Sequence, residues 1–225
     1  TGYDMLQLQD VRNTKLFAKF CKGKDAIIYL AGITNNDECE KNPEFAKSIN
    51  MKCFPEVLRV AHDAAIKRVI FASSVAAYGS SESELTETDP LEATTLYGIG
   101  KAACEFALRL FYLPYIIVRS ASVCGWSPRM RNDLTVNKMV DDAIWKQTIH
   151  VNGGSQYRCH INILDLCDFY ELLLEAPFDK VSSQAFNVVE RNESIKETAN
   201  TVAFIVGGTK VEYGPTTDNR SYRVS

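Results

Sequence analysis

The sequence predicts an α/β protein built on a doubly wound parallel sheet, and three observations carry that prediction. Uninterrupted apolar runs at Asp25–Gly32, Lys67–Ser74 and Leu113–Arg119 have the composition of strands buried on both faces. Stretches with helical apolar spacing separate them, and this regular alternation is the pattern of parallel strands joined by crossover helices. The 225 residues are enough for one large core, or a core and a small lobe.

The elements follow in order. Met5–Leu8 reads as a short strand, and Thr14–Phe20 as a helix after the polar turn Gln9–Asn13. The run Asp25–Gly32 ends in small residues, which let a ligand approach the backbone closely. Asn42-Pro43-Glu44 opens a helix, with Asn42 as its cap, Pro43 in its first turn and Glu44 at its positive end. Its apolar stripe (Phe45, Ile49, Cys53, Val57, Val60) carries it to about Ala65. Lys67–Ser74 is the next strand, and an acidic loop with Pro90 leads from Ser80 to a helix holding Tyr97. After the strand at Leu113–Arg119 the chain turns irregular and basic up to Leu134, and Val136–Trp145 reads as a helix. The loop Asn152–Arg158 precedes a short strand and a helix capped near Asp165. A strand at Ala185–Val189, a helix at Ser194–Ile205 and a strand at Lys210–Tyr213 complete the pattern.

One constellation carries chemistry. Tyr97 and Lys101 stand four apart, so a helix stacks them on one face. A lysine ammonium beside a phenol stabilises the phenolate and brings its pKa toward neutrality, as a proton-transferring tyrosine requires. Ser74 ends an apolar strand at the carboxyl edge, where open α/β sheets bind ligands, and its hydroxyl suits a substrate oxygen whose proton Tyr97 takes. Tyr-x-x-x-Lys alone is a weak signal. Preceded by a strand ending Ser73-Ser74 and by Tyr78-Gly79, it becomes specific.

On these residues the chain resembles the extended short-chain dehydrogenase/reductase family, in its NAD-dependent nucleotide-sugar epimerase/dehydratase branch. The likeness runs from Gln7 to Ser225 and implies a Rossmann-like fold with a small C-terminal α/β substrate lobe. It places an NAD-binding domain at residues 1–122 and most of the substrate lobe at 123–225, with segments returning to the sheet. It also implies a strand and G-x-x-G-x-x-G turn ahead of Met5; no such spacing occurs among the twelve glycines, so a chain roughly 300 residues long is expected.

The resemblance assigns roles residue by residue. Asp10 and Val11 match the pair that holds the adenine, although Asp10 equally suits the start of a loop. Leu30, Ala31 and Gly32 match a segment lying against the cofactor. Asn50 matches an asparagine bracing the catalytic centre through water, or stands as a structural amide. Ser73 and Ser122 fall beside the nicotinamide end, Ser122 where many epimerases have Asn. Arg158 and Arg220 match arginines that grip a nucleotide diphosphate, with Arg131 and Arg129 as further candidates, each also readable as a surface arginine. Dehydratases of the branch carry Asp-Glu after the catalytic Ser/Thr; Val75-Ala76 stands there, which speaks against water elimination.

The implied activity is C4 epimerisation of a nucleotide-diphosphate sugar with NAD, or NADP, through a transient ketone. Alternatives are a reductase or dehydrogenase of the same superfamily and a non-catalytic dinucleotide sensor. The implied assembly is a homodimer through the helices around Asn50 and Tyr97. Composition fits this reading. Apolar residues make up 46% and charged residues 24% of the chain, and 25 basic against 28 acidic residues leave a net charge of −3, which gives nucleic acid no basic surface. No apolar run has the length of a membrane span. Seven cysteines without a Cys-x-x-Cys pair read as reduced thiols of a cytoplasmic protein, and the three dispersed histidines suggest no metal site.

Overall fold

The structure, a computed structural model, describes residues 10–216, 218 and 220–225. The expected strand Met5–Leu8 lies outside them. Asn13 caps the first helix, α1 (Thr14–Cys21), by accepting from the Leu16 N–H. Strand β1 (Ala26–Tyr29) is shorter than its apolar run: the sheet ends at Tyr29, and Leu30 emerges 60% exposed at its carboxyl end.

The single helix expected from Asn42 to Ala65 is broken. It becomes α3 (Pro43–Lys47), a π-helical turn (Ser48–Lys52) and α4 (Phe54–Asp63), after a short α2 (Asn36–Lys41) that the polar sequence hid. Pro55 explains the break. It lacks an N–H and its ring crowds the carbonyl one turn back, so the ladder widens just ahead of it. Asn42 also differs from expectation: its side chain caps nothing, while its backbone N–H closes α2 on the Glu38 carbonyl.

Next come β2 (Arg68–Ser74), a 3₁₀ turn (Val75–Ala77), the short β3 (Glu84–Leu85) and α5 (Leu96–Leu110), capped by Thr95. β4 (Tyr115–Ser120) is followed by β5 (Ser122–Cys124), α6 (Thr135–Lys146), β6 (Thr148–Asn152) and β7 (Tyr157–Asn162). α7 (Ile163–Glu175) is capped by Asn162 rather than near Asp165. The chain then forms α8 (Phe178–Val181), β8 (Gln184–Val188), β9 (Arg191–Ser194), α9 (Ile195–Val206), β10 (Lys210–Gly214) and β11 (Arg223–Val224). At the start of α9, Ser194 and Glu197 form a reciprocal capping box. β5 and β9 are short and carry mixed polar residues, while β6 has an alternating pattern, Ile149 and Val151 inward, that sequence reasoning passed over.

The main sheet has the order β1-β2-β4-β8, all parallel. Its strands alternate between two cores. Val69, Phe71 and Ile117 pack with Phe54, Leu58 and Leu108 on one face; Ile70, Ile116 and Val118 pack with Leu166, Leu173 and Val188 on the other. Both faces are therefore covered, as the continuous apolar runs required. A third, smaller core joins Met139 and Ala143 of α6 to Ala199 and Val202 of α9 over Ile149 and Val151 of β6. β8 returns the chain to the main sheet after this excursion. Among the described residues no helix is long and apolar enough to cross a membrane.

Candidate active site

At the carboxyl end of the sheet, β2 and β4 run in register, with Ser73 opposite Arg119 and Ser74 opposite Ser120. The 3₁₀ turn begins there: Ser74 Oγ accepts from the Ala76 N–H at 3.2 Å, which fixes the side chain and leaves its O–H free to donate. α5 packs directly on this turn. A Cβ at Gly98 would lie 2.4 Å from the Ala76 carbonyl oxygen, so only glycine permits the approach that brings Tyr97 beside Ser74.

Tyr97 and Lys101 share one face of α5, as their spacing predicts, and Lys101 Nζ lies 5.7 Å from the centre of the Tyr97 ring and 5.0 Å from that of Phe71. The ammonium donates to the Ala72 carbonyl at 2.5 Å. Lys101 is buried, and that burial pushes its pKa down to about 8, against the opposing pull of Cys104 and Glu105. The electrostatics of Tyr97 depart from expectation. Burial raises its pKa, opposed by the Ser74 hydroxyl and then by the Arg131 charge. The Lys101 ammonium is hydrogen-bonded to the β2 backbone rather than to the phenol oxygen.

These groups open on a cavity of about 860 Å³. Ser73, Ser74, Tyr97 and Lys101 line it together with Leu30 and Ser122. Arg129, Arg131 and Arg220 contribute three guanidinium groups to the same lining, and no described residue of the lining is an Asp or Glu. Arg131 forks on Asp133 (3.0 and 2.5 Å) and donates to Thr34 Oγ1 at 2.6 Å, while Asn35 donates to the same Asp133 at 3.0 Å. Arg220 forks on Asp218 (2.8 and 2.6 Å). Burial works against ionisation of Asp218, but hydrogen bonds from Arg220 and the charge of Arg158 outweigh it and hold the carboxyl down to about 2.

The remaining expected residues lie outside this lining. Arg158 is buried behind it, donating to Asp218 at 2.8 Å and to the Tyr157 and Arg220 carbonyls, with its guanidinium 5.3 Å from the Tyr222 ring centre. It braces the segment that presents Arg220. The Asn50 carboxamide accepts from the Ile33 N–H and donates to the Ile33 carbonyl, both at 2.8 Å, and so clamps the loop after β1. Gly32 backs onto that clamp: a Cβ there would lie 3.3 Å from Asn50 Oδ1. Ala31 is likewise absent from the lining. Asp10 is paired with Arg12 at the surface, and Val11 packs on the core around Phe54. A second cavity, about 530 Å³ between α1 and α4, contains none of the chemistry-bearing side chains.

Sequence reasoning missed Glu105, Arg119 and Tyr78, which form a buried polar chain directly behind Ser73. The signal was present: Arg119 closes a wholly apolar strand, and a charge there needs a partner. Glu105 stands four residues after Lys101, on the same helix face.

A parallel sheet with a hydroxyl, a phenol and an ammonium at its carboxyl edge defines the class as Rossmann-like, of the short-chain dehydrogenase/reductase kind. More narrowly, the chain belongs to the NAD dependent epimerase/dehydratase family, whose model matches residues 5–188. It is 24% identical over 146 residues to an uncharacterised UDP-glucose epimerase of Bacillus subtilis (strain 168), covering 62% of this chain and 45% of that one. Among solved structures it is similar to UDP-glucose 4-epimerase of Thermotoga maritima with UDP-glucose (TM-score 0.85, 19% identity, 96% of this chain and 74% of that one). It is also similar to DesIV, a dTDP-glucose 4,6-dehydratase of Streptomyces venezuelae with NAD bound (TM-score 0.84, 21% identity, 96% and 69%). At these identities the structural likeness establishes the fold. The chain spans about half the length of the curated relatives it matches.

Proposed function

We propose that the protein is an NAD-dependent epimerase of a nucleotide-diphosphate sugar, with Tyr97 as the proton carrier. One observation carries this reading: a single cavity is lined by Ser74, Tyr97 and Lys101 and also by Arg129, Arg131 and Arg220. Guanidinium groups suit a diphosphate, since their forked donors match its oxygens. The residues present fit the nicotinamide end of NAD. Leu30 is exposed at the end of β1, and the Lys101 ammonium, which would donate to the ribose hydroxyls, reaches the same wall.

Bound NAD supplies the hydride acceptor and a positive ring. Tyr97 takes the proton of the sugar hydroxyl, and the Ser74 O–H donates to that oxygen as it becomes a carbonyl. The ligand-free phenol is protonated at neutral pH, so the positive charge gathered around it on binding is what brings its pKa within reach. Once the ketone has presented its other face, Tyr97 returns the proton to the oxygen while the hydride returns to the carbon from the cofactor, which completes the inversion. Elimination of water calls for a further acid and base, and Val75 and Ala76 stand at the cavity wall where a dehydratase carries them.

A reductase of the same superfamily is the second reading, supported by the burial that keeps Tyr97 protonated and ready to donate. Incubation of the full-length protein with NAD and UDP-, GDP- or dTDP-sugars, and in parallel with NADH and the 4-keto forms of those sugars, separates the two. Inversion at C4 without net NADH turnover is the expected result. Net consumption of NADH with a keto substrate would replace epimerase by reductase, and cofactor binding without turnover of any of them would leave a dinucleotide sensor.

A further inference from the structure

Behind the reacting face, five side chains form a polar chain that is buried over most of its length. Glu105, on α5 one turn beyond Lys101, is fully buried. Ser73 Oγ donates to its Oε1 at 2.5 Å, and Arg119 donates through Nε at 3.1 Å and Nη2 at 2.7 Å. Arg119 Nη1 donates to Tyr78 Oη at 2.6 Å, and the Tyr78 hydroxyl donates to Asn187 Oδ1 on β8 at 2.8 Å. Taking an ion pair out of water costs several kcal/mol, and apolar residues of equal volume often hold a fold as well or better. Stability alone is therefore a poor reason for this pair.

Its placement supplies another. Ser73 immediately precedes Ser74, and Arg119 is the register partner of Ser73. Lys101 is bonded to Ala72 and Glu105 to Ser73, so two consecutive residues of β2 are fastened to two consecutive turns of α5. The next residue along β2 is Ser74, and the preceding turn of α5 holds Tyr97. The double fastening sets the separation of those two.

We propose that Glu105, held by Arg119, is a positioning residue: it fixes the Ser74 hydroxyl against the Tyr97 phenol and keeps a compensating negative charge beside the Lys101 ammonium. The proposal rests on the reading of Tyr97 as proton carrier. The groups acting on Lys101 are Cys104 and Glu105, and burial pushes the Cys104 thiol up to about 12, which leaves the Glu105 carboxylate as the charge. Elements packed on α5 present the Tyr78 phenol and the Cys39 and Cys53 thiols, all raised by burial and neutral at pH 7. α2 also presents Glu40, bonded by the Leu96 N–H at the start of α5, and α3 presents Glu44, paired with Lys47 and Lys52. Glu105 thus faces three cations: Arg119 from β4 at 2.7 Å, Arg109 one turn further along α5 at 3.9 Å, and Lys101, so its loss leaves all three without a negative neighbour there.

The test uses the full-length protein and the variants Glu105→Gln and Ser73→Ala, with folding followed by circular dichroism. Glu105→Gln is expected to lower kcat by about 100-fold at little change in KM. It should also move the alkaline limb of the pH profile down by about one pH unit or more. A folded Glu105→Gln variant with the kcat and alkaline limb of the parent overturns the proposal. Should that variant not fold, Ser73→Ala, which keeps the ion pair, decides: a fall in kcat of roughly 10-fold supports the fastening and an unchanged kcat refutes it. Absence of turnover in the parent would count against the proposed function alone. The ¹⁵N resonance of the Lys101 ammonium still tests the clamp, with a lower titration midpoint in Glu105→Gln expected and an unmoved midpoint contrary to it.

Discussion

Lys101 carries its charge where the surroundings disfavour charge. Burial takes its pKa from 10.5 to about 8, so between those values the folded chain binds fewer protons than the unfolded one. Stability contributed by this group therefore rises with pH from about 8 to 10.5, and the penalty is fully present below 8. Its size at pH 7 is about 3 kcal/mol before the Ala72 hydrogen bond is counted. Lys101→Met is accordingly expected to raise the urea midpoint of the ligand-free protein at pH 7, to lose that advantage above pH 10, and to abolish turnover. A midpoint difference independent of pH would show that the ammonium is not the source. The neighbouring Tyr97 shows what residue spacing conveys and what it omits. The four-residue interval specified one helix face, and the structure has it. The direction of the ammonium, toward Ala72 rather than the phenol, depends on a carbonyl of another strand and lies beyond any pattern within α5.

At the scale of elements, the site depends on how closely α5 meets the 3₁₀ turn after β2. Gly98→Ala would drive a Cβ into the Ala76 carbonyl, a backbone atom that cannot rotate away. The expected cost is about 1–3 kcal/mol, with displacement of Tyr97 from Ser74. Denaturant midpoint and kcat should fall together, and a variant with both unchanged would show that the packing is looser than described. The strands of the main sheet were legible because burial on both faces demands unbroken apolar runs. The break between α3 and α4 was less so: Phe45, Ile49, Cys53 and Val57 continue one stripe, and only Pro55 hints at the π-helical turn. β5 and β9 were invisible because they are short and carry neither a continuous nor an alternating apolar pattern. β6 does alternate, with Ile149 and Val151 buried between Thr148, His150 and Asn152, and that signal was passed over.

For the whole molecule, the cavity is a meeting of the sheet edge with the segments that follow β4. Arg131 and its hydrogen-bond partner Thr34 both line it, and Arg220 is carried on a tail braced by Arg158. Sequence pattern named all three arginines and put Arg158 first, yet Arg158 is the one buried outside the lining, because exposure and burial of a guanidinium depend on where Asp218 and Asp133 fall. Arg131→Ala and Arg220→Ala are each expected to raise KM for the nucleotide sugar by roughly 10-fold or more, the weight of a charge-assisted hydrogen bond, with less effect on kcat. Arg158→Ala should act through stability as well. The central claim, that Tyr97 moves the proton, is tested most directly by single-turnover reduction of NAD by the sugar in the full-length protein, followed by the absorbance of NADH. Tyr97→Phe is predicted to slow that step by about 10²–10⁴-fold while nucleotide-sugar affinity is kept. A Tyr97→Phe protein that reduces NAD at the parent rate would contradict the account.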